Sequence, residues 1–129
     1  MQWDSTLECG VELIDNEHKE LFKMVGNLMR ESSKETSGKA LDFLGEYVVS
    51  HFAHEEKLME QCNYPYAMEH KELHNRFIKT LHDLKRKFEE SDGNQAVRTE
   101  IHYAALSWLV NHIKVIDQRF TDYCNSNNN

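Results

Sequence analysis

An all-α fold, an up-down-up-down four-helix bundle with an N-terminal arm, is what this chain predicts, and three features predict it. One proline and five glycines in 129 residues leave little material for hairpins. Four stretches carry apolar residues in steps of three and four, the spacing that lines one face of a helix. Runs of turn-forming residues divide those stretches, and short connections make consecutive helices antiparallel. At this length, residues 1–129 read as a single domain able to bury one core.

The elements follow in order. Residues 1–14 read as an arm whose Trp3 docks on the bundle. Ile14, His18, Leu21, Val25 and Leu28 mark the first helix, with Asp15 or Asn16 placed to cap its orphan amides. Ser32, Ser33, Thr36, Ser37 and Gly38 separate it from the second, marked by Leu44, Val48, His51, Glu55, Leu58 and Cys62. Pro65 cannot continue that helix and pushes Tyr64 towards an extended shape. His70, His74, Phe77, Leu81, Leu84 and Phe88 mark the third. Ser91-Asp92-Gly93-Asn94 breaks it, with Gly93 suited to a left-handed cap. Ala105, Leu109, His112, Ile116 and Phe120 mark the fourth, and the polar residues 125–129 read as a frayed tail.

Composition excludes several classes. The net charge of -7 repels phosphate, so nucleic acid and anionic membrane are poor partners. No apolar run approaches the roughly 18 residues of a membrane span. The start, MQWDSTLECG, has neither a basic nor an apolar leader segment, and the cytoplasm is the expected location. Cys9, Cys62 and Cys124 are odd in number and form no CxxC, so they read as reduced bystanders rather than a disulfide framework. Lys85 to Lys87 read as a solvated face, and Met24, Met29, Met59 and Met68 as helix fillers.

The same apolar rhythm exposes an anomaly. His51 and Glu55 lie on the buried stripe of the second helix, and His70 and His74 on that of the third; His54 and Glu56 fall off it. His18 interrupts the first stripe and His112 the fourth, with Asp117 adjoining. Burying five imidazoles and two carboxylates without partners costs several kcal/mol per group. One core histidine is ordinarily just hydrogen-bonded; seven such positions on four helices point to bound metal. His51/Glu55 and His70/His74 are four apart, which makes them neighbours on a helix. His112 and Asp117 are five apart and would diverge by about 140° on a regular helix, so either a long-reach geometry or a local wide turn is needed there. A tetrahedral zinc site takes four donors, too few for this set. On two octahedral ions, five imidazoles, two bridging carboxylates and one bridging oxygen fill every position but one. Softness alone admits iron, copper, zinc or manganese. His54, His82 and His102 read as surface or hydrogen-bonded residues.

The segments "IDNEHKELF", "HFAHE", "HKELH" and "WLVNHIKVID", in that order from about Trp3 to Tyr123, resemble the hemerythrin family in its bacterial branch. The resemblance implies two iron ions with an oxo or hydroxo bridge. His70, His74 and His112 would hold the six-coordinate iron, and His18 and His51 the five-coordinate one. Glu55 and Asp117 would bridge them. Leu21, Phe52, Trp108, Leu109 and Ile113 match positions that line the family's oxygen pocket, though core packing is their ordinary reading. The resemblance also makes the five-residue step from His112 to Asp117 a family feature.

Reversible dioxygen binding is therefore the expected function, for storage, delivery to an oxygen-using enzyme, or buffering. No Glu-x-x-His pair, a mark of the carboxylate-rich di-iron bundles, occurs here, and the ligand set favours binding over oxidation. A di-iron enzyme acting on peroxide or nitric oxide, or supplying iron, is the alternative. A sensor acting through a partner is a third class, but no output domain fits within 129 residues.

Overall fold

The structure, a computed structural model, describes residues 3–30 and 33–127. A 3-10 turn, Ser5–Leu7, leads into α1 (Glu12–Arg30), α2 (Lys34–Cys62), α3 (Ala67–Glu90) and α4 (Gln95–Asn111). α4 runs on through a π-helical segment, His112–Asp117, into α5 (Gln118–Asn127), so the last three make one rod. No strand occurs among the described residues. α1 packs on α2, α2 on α3, α3 on α4 and α4 on α1, the closed ring of an up-down-up-down bundle.

Local chemistry sets the ends. Ser33 accepts a hydrogen bond from the Thr36 amide (3.1 Å) and starts α2, so Thr36, Ser37 and Gly38 lie inside that helix rather than before it. Asn63, at φ 54°, closes α2 in the left-handed conformation, and α3 begins beyond Pro65. After α3, Gly93 takes φ 73° and its amide reaches Phe88 O at 2.9 Å, the C-cap expected of it. Asn94 caps α4 through the Ala96 amide (2.7 Å).

Two further boundaries and one cap differ from the sequence reading. α1 begins at Glu12, two residues before the arm was expected to end. Asp15 is not its cap. It lies within the first turn and turns back to accept from the amides of Cys9 (2.7 Å) and Gly10 (3.2 Å), fastening the arm. α5 extends through residues 125–127, tied to the arm where Gln118 donates to Thr6 O (2.8 Å) and Asn125 to Cys9 O (3.3 Å). Ser32 and residues 128–129 lie outside the described residues.

The core fills the bundle with Leu21, Phe22, Val25, Leu44, Val48, Phe77, Leu81, Ile101 and Leu109, and Leu7 of the arm is fully buried against it. Trp3 packs edge-on to Phe22, with ring centres 5.7 Å apart. A second cluster, Met59, Tyr64, Phe120 and Cys124, closes the far end. There the structure corrects the cysteine reading. Cys62 and Cys124 form a disulfide between the ends of α2 and α5, with Cα atoms 5.4 Å apart. The pairing joins residues 62 apart in sequence, a proximity that only the tertiary fold creates. The cysteine argument for a reducing compartment falls with it. Cys9 alone is free, and it is buried. Arg86 and Lys87 pair with Asp83 and Glu100 on the solvated face expected of them.

Candidate metal centre

The polar donors turn inward from three helices and from the π segment. α1 supplies His18, α2 His51 and Glu55, α3 His70 and His74, and the π segment His112 and Asp117. All seven are buried, five of them at 1% exposure or less. The π segment settles the five-residue step. The Gln118 amide reaches back to Ile113 O, a five-residue hydrogen bond, and the widened turn keeps His112 and Asp117 on one face. Their atoms Nε2 and Oδ1 stand 3.1 Å apart.

The two carboxylates divide the imidazoles oxygen by oxygen. Glu55 Oε2 faces Nε2 of His51 (3.2 Å) and His18 (3.3 Å), while Oε1 faces Nε2 of His74 (3.1 Å) and His70 (3.7 Å). Asp117 Oδ2 faces His18 (3.1 Å), while Oδ1 faces His70 and His112, both at 3.1 Å. Two donor sets result. His18 and His51 share one oxygen-bearing edge, His70, His74 and His112 the other, and both carboxylates belong to both sets.

These atoms suit ions better than one another. Neither oxygen of Glu55 or Asp117, nor His18 Nε2, makes a hydrogen bond, though all are buried. Nε2 of His112 lies 3.2 Å from Nε2 of both His70 and His74. Nitrogens about 2.1 Å from a common ion, at right angles, stand about 3.0 Å apart. Burial works against charge here, yet the Glu55 carboxylate lifts His51 to about 9 and the Asp117 carboxylate lifts His70 to about 9. Burial likewise opposes ionisation of Glu55 and Asp117, but the surrounding imidazoles hold both carboxyls well below the usual range. Protons on imidazole thus balance the carboxylates where cations are absent.

Of the apolar residues named from the sequence, Phe52 and Trp108 contact the donor set. Leu21, Phe52, Leu109 and Ile113 are buried in one continuous core and Trp108 packs against it, half-buried. The two aromatic rings cover the three-histidine side. Phe52 stacks on His74 at 3.7 Å, and Trp108 on His112 at 4.2 Å. On the other side the arm approaches, with Trp3 6.2 Å from the His18 ring.

Sequence reasoning missed the partners of the imidazoles. Glu17, buried beside His18, places Oε1 3.0 Å from His51 Nδ1 and Oε2 2.8 Å from His54 Nδ1. Burial tends to raise its carboxyl, but the hydrogen bonds from His51 and His54 bring it below the ordinary value. Glu17 stands three residues after Ile14 and four before Leu21, so the apolar stripe did carry its signal. Glu56, off the stripe as expected, still reaches His74 Nδ1 at 3.0 Å from its half-buried position. No periodicity marks such a contact. Cys9 lies beside His18, and burial pushes its thiol up. His102 donates to Val25 O (2.9 Å), a hydrogen-bonded role of the kind expected.

Comparison with known proteins places the chain. The family model "Hemerythrin HHE cation binding domain" matches residues 9–124. A bacteriohemerythrin of Stenotrophomonas maltophilia is 32% identical over 123 residues, covering 93% of this chain and 78% of that one. A myohemerythrin of Theromyzon tessulatum is 34% identical over 119 residues, covering 92% and 89%. A crystal structure of wild-type hemerythrin superposes with a TM-score of 0.81 at 31% identity, covering 96% of this chain and 97% of that one.

Proposed function

Since the chain belongs to the hemerythrin family, we propose that it binds dioxygen reversibly at a pair of iron ions. His18 and His51 would hold one ion and His70, His74 and His112 the other, with Glu55 and Asp117 shared between the two sets. The observation that carries this reading is the division of each carboxylate, one oxygen towards either imidazole set. A single ion has no use for that arrangement.

When bound, the iron pair supplies the electrons that dioxygen takes up and gives back. The chain's residues do the rest. Neutral imidazoles dominate the donor set, which disfavours the higher oxidation states that substrate oxidation needs. Glu17 and Glu56 fix the tautomers of His51 and His74, so that Nε2 is the free donor on each. Leu21, Phe52, Trp108, Leu109 and Ile113 form an apolar wall that excludes water and admits a small uncharged gas. Storage, buffering or delivery to an oxygen-using enzyme all fit a protein that returns its ligand unchanged.

Anaerobic iron reconstitution followed by air tests the reading. The expected result is about two irons per chain, as the donor count requires, and a colour that bleaches under argon. A colourless protein holding one zinc ion would defeat it, as would steady turnover of peroxide or nitric oxide without release of intact oxygen.

A further inference from the structure

We propose that Glu17 and His54 are a pair of positioning residues that set the donor strength of His51 from the protein surface, an inference that rests on the iron-binding reading above. Three side chains form a file from the centre to solvent. His51 is 1% exposed and presents Nε2 to the centre, 3.2 Å from Glu55 Oε2. Its Nδ1 meets Glu17 Oε1 at 3.0 Å. Glu17, 9% exposed at its side chain, meets His54 Nδ1 with its other oxygen at 2.8 Å, and the His54 side chain is 44% exposed. A carboxylate can only accept, so both Nδ1 atoms carry their hydrogens and donate to it. The side chains of His51 and His54 thus draw on one negative charge.

The consequence has a sign. A carboxylate that accepts from the far nitrogen of a metal-bound imidazole strengthens that imidazole as a donor. His54 takes a share of the same carboxylate and so weakens its effect on His51. Removing Glu17 therefore makes His51 a poorer donor, whereas removing His54 makes it a better one. A better donor favours the ferric state, so the two losses move the potential of the iron pair in opposite directions. A pair that merely held the helices together would move it the same way for both. The arrangement is particular to one side of the centre. On the other side, His74 Nδ1 meets Glu56, itself 30% exposed at the side chain, without an intervening buried carboxylate.

The test compares Glu17→Gln, His54→Leu and His54→Gln in the full chain. The readouts are the midpoint potential of the iron-loaded protein, measured without oxygen, and cobalt(II) affinity of the metal-free protein by chelator competition. Glu17→Gln should raise the potential and weaken cobalt about ten- to a hundredfold. His54→Leu should lower the potential, and His54→Gln, which keeps an N–H donor, should stay at the wild-type value. A His54→Leu potential that is unchanged, or shifted upward like that of Glu17→Gln, overturns the proposal. So does unchanged cobalt affinity in Glu17→Gln. His54 is exposed, so its variants should fold, and circular dichroism checks this. Loss of reversible oxygenation in the wild-type protein would overturn the functional reading alone, because neither readout involves oxygen.

Discussion

At the scale of the residue, the donors were legible because they break a rule. Histidine and glutamate on an apolar stripe announce themselves against the residues around them, as His51 and Glu55 do among Val48, Leu58 and Phe52. Their supports were not, because Glu56 and His54 stand at positions where any helix carries polar residues. The metal-free form of the protein gives a pH prediction. His51 and His70 have pKa values near 9 in the folded protein against 6.5 for a free imidazole. Between those values the folded chain binds more protons than the unfolded one. Stability contributed by the two imidazoles is therefore complete below about 6.5 and lost as pH rises through about 9. The melting temperature of the metal-free protein should fall over that window, as thermal denaturation would record; a flat profile would mean that the metal-free protein holds these imidazoles neutral. Leu109, 5% exposed, gives a second prediction. Leu109→Ala should cost about 2–5 kcal/mol of stability through the cavity it leaves. It should also admit water and speed irreversible oxidation of the loaded protein, seen as faster loss of the oxygenated colour. An unchanged rate would remove Leu109 from the wall.

At the scale of the element, the four helices followed from spacing and punctuation, and only their ends moved. Asp15 shows why ends are hard to read. A carboxylate near a helix start can cap it or reach back to the chain before it, and the sequence does not distinguish the two. The conflict between donor chemistry and helical pitch at His112–Asp117 leaves either a long reach or a wide turn, and the π segment shows that it is the wide turn. Its geometry makes a prediction. Residues four apart on an α-helix share a face, as do residues five apart across one π turn. Deleting Val115, which is 63% exposed, should let the segment close up as α-helix with His112 and Asp117 still facing inward. Metal stoichiometry should then persist. Inserting one alanine after Val115 should instead swing Asp117 by about 100° and lose at least one ion, as metal analysis of the purified variants would detect.

At the scale of the whole molecule, the ring of helices was readable from connection lengths, since short turns leave few ways to pack four amphipathic rods. The disulfide was not, because nothing local brings Cys62 near Cys124. A cross-link closing 62 residues should add about 4 kcal/mol to stability by restricting the unfolded chain. Cys124→Ser and reduced wild type should therefore melt alike and below the oxidised protein, while reductant leaves the variant unmoved. The bond has another consequence for the continuity of the chain. It ties α3 and α4 into a closed covalent loop that contains His70, His74, His112 and Asp117, with the exposed turn at Asp92 on its rim. A protease nick in that turn would cut the backbone without parting the molecule. The two fragments should migrate as one 15.2 kDa species until a thiol is added, and the nicked form should keep its metal although no single peptide then carries all seven donors.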